Sequence, residues 1–271
     1  MSELVKNDYE EPRCLLNMHP EVVRIPTGRV IEKLDAYLAK KDYDAAERHL
    51  RYWEREAAAG NDERGRLTVL NEEIGLYRKT EKEEECLRAI SEALALAEAA
   101  EMEGTITYGT TLLNAATGYK AFGKAGEALV LYRKARTIYE AALSPEDARL
   151  GGLYNNMALA LTACGDHGEA RELYEKALAI MSKQENGALE VAITYLNMAD
   201  LAAAEKGMEA AEETIGMYLE KAEALMDDAS LPRDGYYAFV CEKCAPVFGY
   251  YGYFLAEKEL MKRAEEIYER T

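Results

Sequence analysis

Asparagine recurs along this chain at a nearly constant interval, at Asn71, Asn114, Asn156 with its neighbour Asn155, and Asn197. The residue is a neutral-to-poor choice inside a helix, because its side chain competes for backbone hydrogen bonds, so its return at one register needs a reason. An amide offers two donors and an acceptor with two lone pairs, the same groups that an extended peptide backbone presents. A row of such amides can therefore grip a bound peptide, or it can brace neighbouring helices against one another. Residue types alone leave both uses open. Lys120 and Asp200 are expected to flank the same face, each by itself no more than a solvated charge.

A second cluster is aromatic. Residues 236–254 hold Tyr236, Tyr237, Phe239, Phe248, Tyr250, Tyr251, Tyr253 and Phe254, eight of the 24 aromatic residues in the chain. Part of this set is expected to be core. Tyr236, Phe239, Tyr250 and Tyr253 are the candidates for an exposed contact surface or a self-association face, since aromatic rings supply much contact area at small entropic cost.

Cys241-Glu242-Lys243-Cys244 is an isolated C-x-x-C. A structural zinc site needs four ligands, and no second cysteine pair or paired histidines accompany it, as His19, His49 and His167 are dispersed. No strand precedes it, as a thioredoxin-like site would require. Two small buried side chains on a helix explain it, and no metal or cofactor is expected. The sequence also lacks a phosphate-binding glycine loop, a G-x-S-x-G elbow and an H-E-x-x-H helix, so an enzyme is not expected.

The elements that position these residues are helical hairpins. Residues 114–138 laid over 156–180 give twelve identities in 25 positions: Asn114/Asn156, Ala116/Ala158, Ala121/Ala163, Gly123/Gly165, Gly126/Gly168, Glu127/Glu169, Ala128/Ala170, Leu131/Leu173, Tyr132/Tyr174, Lys134/Lys176, Ala135/Ala177 and Ile138/Ile180. A match of that density at a fixed offset marks an array. The small residues let the two helices of a hairpin approach, Tyr132 and Tyr174 fill the space between hairpins, and Gly123 and Gly165 fall at the turns, where a left-handed backbone costs glycine least.

Weaker copies flank these two. A first pair is expected over 28–58 with a break at 40–42, a second over 64–99 turning near Thr80, a fifth over 192–227 and a sixth over 234–270. Ser144-Pro145-Glu146-Asp147 predicts a helix start near Pro145, since proline suits the first helical position. Residues 1–26, with Pro12, Pro20 and Pro26, read as a partly ordered arm whose apolar pieces Cys14-Leu15-Leu16 and Val22-Val23 could pack on the first pair. Residues 27–271 read as a single array of five to six hairpins.

The pairing of small residues in both helices, glycine at the turn, and Ala-x-x-x-Tyr at Ala128/Tyr132 and Ala170/Tyr174 resembles the tetratricopeptide repeat family. The 42-residue period, longer than the usual 34, is similar to the class found in kinesin light chains and bacterial peptide-responsive regulators. The family's closing proline is absent from both matched units. This resemblance implies an all-α, right-handed superhelix of antiparallel hairpins whose concave groove is lined by first-helix asparagines that hold bound peptides. Eight extra residues per repeat lengthen each helix by about 6 Å and deepen the groove.

Composition limits the partner. With 33 basic and 50 acidic residues the formal charge is −17, which disfavours a surface for nucleic acid, where lysine and arginine must displace counterions. No apolar run approaches the length of a membrane-spanning helix. Five cysteines, an odd number, without a cationic and apolar leader point to reduced thiols and a cytoplasmic protein.

The expected function is a protein- or peptide-binding scaffold. One alternative is a peptide-sensing regulatory subunit acting on a separate output protein, since 26 leading residues are too few for an output domain. Another is a structural homo-oligomer, such as a homodimer paired through the aromatic C-terminal repeat.

Overall fold

The computed structural model describes residues 22–270, and these fold as an all-α solenoid of six helical hairpins. The hairpins are α1 (Thr27–Ala39) with α2 (Tyr43–Ala59), α3 (Glu63–Lys79) with α4 (Glu83–Ala99), α5 (Ile106–Ala121) with α6 (Ala125–Ala142), α7 (Ala148–Cys164) with α8 (His167–Met181), α9 (Ala188–Lys206) with α10 (Met208–Met226), and α11 (Gly235–Tyr250) with α12 (Phe254–Tyr268).

One steric rule builds all six. The second helix of every hairpin buries an alanine and, one turn later, a further side chain: Ala46/Leu50, Ala89/Ala93, Ala128/Tyr132, Ala170/Tyr174, Ala211/Ile215 and Ala256/Leu260. The alanine lets the paired helix come close, and the residue four positions on fills the space beyond it on the same helical face. The sequence shows this rule clearly only in the third and fourth hairpins. The first helices approach their partners by a similar economy. A Cβ on Gly109 would stand 2.7 Å from the Tyr139 ring, and at the same register one repeat later a Cβ on Gly151 would stand 2.8 Å from Met181 Sδ.

Every hairpin turn carries a residue with positive φ: Lys41 (54°), Glu81 (57°), Gly123 (74°), Gly165 (83°), Gly207 (81°) and Gly252 (86°). Four of the six are glycine, for which this backbone is inexpensive. Aspartates and a threonine cap the helices that follow them. The side chains of Asp42, Asp62, Thr105, Asp166 and Asp234 each accept a hydrogen bond from the backbone N–H three residues on, satisfying one of the orphan donors of a helix start.

Two local expectations are corrected. α7 starts at Ala148 rather than near Pro145, because Asp147 is the cap: its carboxylate accepts from Arg149 N at 3.0 Å and is clamped by the Arg149 guanidinium. Val22 and Val23 are exposed, whereas Ile25 is the residue buried against the first hairpin. The extended segment is held by its backbone: Val23 N donates to Gly60 O (2.8 Å) and Ile25 N to Asp62 Oδ2 (3.0 Å). Cys14-Leu15-Leu16 lies outside the described residues, as do Pro12 and Pro20.

Candidate functional site

Successive first helices α3, α5, α7 and α9 pack side by side, and their polar side chains meet in one row. Asn114 Nδ2 donates to Asn71 Oδ1 (2.9 Å), joining α5 to α3. Lys120 Nζ donates to Asn156 Oδ1 (3.1 Å), joining α5 to α7. Asn197 Nδ2 donates to Asn155 Oδ1 (3.0 Å), joining α9 to α7. The tyrosine just past α11, Tyr251, donates to Asp200 Oδ1 on α9 (2.7 Å). The row thus carries a side-chain hydrogen bond across each of four consecutive interfaces.

All seven candidate residues, Asn71, Asn114, Lys120, Asn155, Asn156, Asn197 and Asp200, lie in this row. Two amides are also tied to their own helices, Asn71 Nδ2 to Leu67 O (2.8 Å) and Asn156 Nδ2 to Gly152 O (3.0 Å). Asn71 Nδ2 reaches Thr111 Oγ1 as well (3.1 Å). Among the described residues, Asn114 Oδ1 and Asn197 Oδ1 receive no hydrogen bond. The sequence register pairs Asn156 with Asn114, but it is Asn155 that meets the next asparagine, Asn197. Asn156 is taken by Lys120 instead.

Burial gives the two charged members unusual electrostatics. Desolvation, followed by the charges of Lys243 and Arg78, lowers the Lys120 ammonium to about 7. Lys120 pairs with no carboxylate among the described residues. Desolvation raises the Asp200 carboxyl above its ordinary range, and the Tyr251 hydroxyl partly offsets that cost.

The aromatic residues separate into three groups. Tyr237 and Phe248 are core. Tyr236 and Phe239 are partly exposed and stacked, with centroids 6.5 Å apart, and the Tyr236 hydroxyl donates to the Glu190 carboxylate on α9. Tyr250 lies at the α11–α12 turn with Phe254 and Leu255, exposed by 71%, 67% and 87%. Tyr253 is half-buried against Phe248 and shares with Met208, Ile215, Gly216 and Tyr251 a cleft of about 410 Å³.

A contact absent from the sequence reading joins the two ends of the solenoid. Lys41, at the first hairpin turn, donates to Glu242 Oε1 on α11 (2.9 Å) and stands 4.5 Å from the centroid of the Tyr268 ring on α12. Lys79, at the end of α3, stands 5.3 Å from the centroid of the Phe239 ring. The superhelix therefore curls until its first and last hairpins touch through long side chains. No local pattern signals this, because Lys41 and Glu242 are separated by 201 residues and meet only through accumulated curvature.

Cys241 and Cys244 are both buried on α11, and burial pushes their thiols up to about 11 and about 12. Thiols held protonated in this way are poor nucleophiles and poor metal ligands. No group of three or more metal-ligating side chains occurs among the described residues. Nor is any helix among them long and apolar enough to cross a membrane.

Comparison with known proteins agrees with this architecture. Residues 109–148 and 149–226 each match a family profile described as tetratricopeptide repeat. BtubC (BKLC) from P. vanneervenii superposes with a TM-score of 0.61 at 19% identity, over 76% of this chain and 85% of that one. A putative kinesin light chain from Podosopora anserina with nearly identical TPR-like repeats superposes with a TM-score of 0.50 at 20% identity, over 74% of this chain and 94% of that one. At such identities the likeness is one of fold. No curated protein sequence matches significantly. Tetratricopeptide repeats generally mediate protein–protein interaction. With the family's profiles spanning 109–226 and the same hairpin rule running through all six units, the central hairpins are tetratricopeptide repeats and the outer ones are built like them.

Proposed function

We propose that the chain is a scaffold that binds a protein or peptide along the row of first-helix side chains from Asn71 to Asp200. The observation that supports this most is the row itself: polar groups brought to one line across successive helices. Packed helices stand about 8–10 Å apart, which is about three residues of an extended strand at 3.3 Å each. An amide on each helix can thus meet the backbone of an extended peptide at every third residue. The hydrogen bonds within the row hold the amides in fixed rotamers, so less side-chain freedom is lost on binding. The unused Asn114 and Asn197 carbonyl oxygens would accept backbone N–H groups. The proposed role is binding without catalysis.

The test is capture of partners from the source cell by the intact chain and by a variant carrying Asn114→Ala with Asn156→Ala. Loss of partners by a variant that keeps its helical signal and melting cooperativity supports the reading. Unchanged capture of every partner refutes it. A homo-oligomer remains a second reading because of the exposed Tyr250, Phe254 and Leu255, and light scattering over a concentration series tests it: a monomer at all concentrations removes it.

A further inference from the structure

Tyr250, Phe254 and Leu255, at the last hairpin turn, are the most exposed large apolar side chains among the described residues, and Met208 beside the preceding turn is exposed as well. A single exposed apolar side chain is ordinary, but these adjoin the cleft of about 410 Å³ and make one surface with it. Met208 and Ile215 line the cleft from α10, and Tyr251 and Tyr253 line it from the α11–α12 turn. Both rings are held. Tyr251 is fixed by its hydroxyl on Asp200 and by the Tyr250 ring, 5.0 Å away between centroids, and Tyr253 by its edge contact with Phe248. Gly216 makes room for this arrangement, since a Cβ there would stand 3.2 Å from Tyr253 Oη.

The polar groups of the cleft are unused. Glu209 and Glu212, one turn apart on α10, line it, and neither side chain forms an ion pair or a hydrogen bond among the described residues. The Tyr253 hydroxyl has no hydrogen-bond partner there either. No lysine or arginine lines the cleft. Elsewhere the chain covers its tyrosines with its own cations: Lys33 Nζ stands 4.9 Å from the Tyr37 centroid, Lys176 Nζ 5.8 Å from that of Tyr154, and Lys221 Nζ 5.3 Å from that of Tyr195. Tyr251 and Tyr253 have no such cover among the described residues. An apolar cleft with bare ring faces and an acidic rim suits a side chain with an apolar stem and a cationic head.

We propose that this cleft docks a segment of a partner protein in which a lysine or arginine adjoins a large aliphatic side chain. The stem of the basic residue lies on Met208 and Ile215, and its head donates to Glu209, Glu212 and the Tyr253 hydroxyl oxygen. The aliphatic neighbour covers Tyr250, Phe254 and Leu255. A second copy of the chain suits the surface less well, because an isologous contact would turn the acidic rim of one copy toward that of another, each of charge −17. The site goes beyond the scaffold reading. It lies outside the row from Asn71 to Asp200 and meets it only through the bond between Tyr251 and Asp200.

The experiment is fluorescence anisotropy of three labelled heptapeptides titrated with the full-length chain at one fixed ionic strength. One alternates leucine with lysine, one serine with lysine, and one leucine with glutamate. The test variants are Glu209→Gln with Glu212→Gln, and Met208→Ser. All three positions are exposed, so the fold should survive. Glu103→Gln with Glu185→Gln removes the same charge from exposed positions elsewhere and is the control.

Saturable binding of the leucine–lysine peptide is expected, about tenfold or more tighter than that of the other two peptides. Loss of both rim carboxylates should weaken it about fivefold or more and Met208→Ser about threefold, with the control unchanged. Equal binding of the serine–lysine peptide, or equal weakening in the control, reduces the effect to overall charge and overturns the proposal. Equal binding of the leucine–glutamate peptide overturns it as well, as does absence of binding. A dimer in sedimentation velocity that Leu255→Ser abolishes gives the surface to a second copy and also overturns it. The chain carrying Asn114→Ala with Asn156→Ala should bind the peptide as the parent does, so failure of this site leaves the scaffold reading to its own test, and the reverse holds.

Discussion

Replacement of Glu73 by glutamine should stabilise the protein at neutral pH and much less so in mild acid. Glu73 lies on α3 with only 5% of its surface exposed, in a polar cleft with Glu54, Glu92, Arg51, Arg55 and Arg88. Burial first, then the negative charge of Glu54, raises its carboxyl from 4.5 to about 7, and Arg88 and Arg51 only partly compensate. The arginine that could have relieved it further, Arg66, is committed to Glu54 (2.6 Å) and Glu92 (2.7 Å).

Because the folded pKa lies above the unfolded one, the contribution of Glu73 to stability is fully present below about pH 4.5, declines through the interval up to about 7, and is level beyond it. At about 1.4 kcal/mol per pKa unit the ionised group costs about 3 kcal/mol at pH 8 and about 1 kcal/mol at pH 5. Glutamine keeps the shape and removes the charge, so thermal melts by circular dichroism should show a variant more stable than the parent at pH 8 by up to roughly 6–12 °C. The advantage should shrink to a third or less at pH 5. An equal effect at both pH values, or a destabilised variant at pH 8, would refute the assignment of the cost to ionisation.

Three further outcomes are expected. Glu81→Gly places glycine at an exposed left-handed turn where glutamate now holds a φ of 57°, and should raise stability by about 1 kcal/mol in a denaturant melt. Gly109→Ala should lower it by about 1–3 kcal/mol, because the new methyl would stand 2.7 Å from a Tyr139 ring that is itself buried and pinned by Thr110. In a Cys14→Ser background a thiol reagent should titrate the exposed Cys164 promptly, with Cys86, Cys241 and Cys244 reacting only as the chain unfolds.

Repetition made the hairpins legible. Ala128/Tyr132 and Ala170/Tyr174 carry the packing rule in residues distinctive enough to be seen, and the turns near 40–42 and Thr80 lie where the helical periodicity breaks. The outer hairpins obey the same rule with Leu50, Ala93, Ile215 and Leu260, side chains too common in any helix to stand out. The asparagine register was visible, yet which amide meets which depends on the rotation between neighbouring hairpins, and that rotation selects Asn155 rather than Asn156 for Asn197. The start of α7 was misplaced because Pro145 and Asp147 offer competing start signals, and Arg149 decides for Asp147 by clamping its carboxylate. The meeting of Lys41 with Glu242 follows from curvature summed over the whole array, a quantity no single window of sequence contains.

The meeting of Lys41 with Glu242 also bears on how this gene can change. In an open solenoid each repeat touches only its neighbours, so units can be gained or lost with little penalty beyond their own interfaces. Here the first hairpin is also a neighbour of the last. A duplication or loss of one 42-residue unit would move α11 by a full step along and around the superhelix, leaving Lys41 and Lys79 without their acidic and aromatic counterparts. Repeat number in this chain is accordingly under geometric constraint, and variation among descendants should be concentrated in the turns, where a residue can be inserted without altering where the ends arrive.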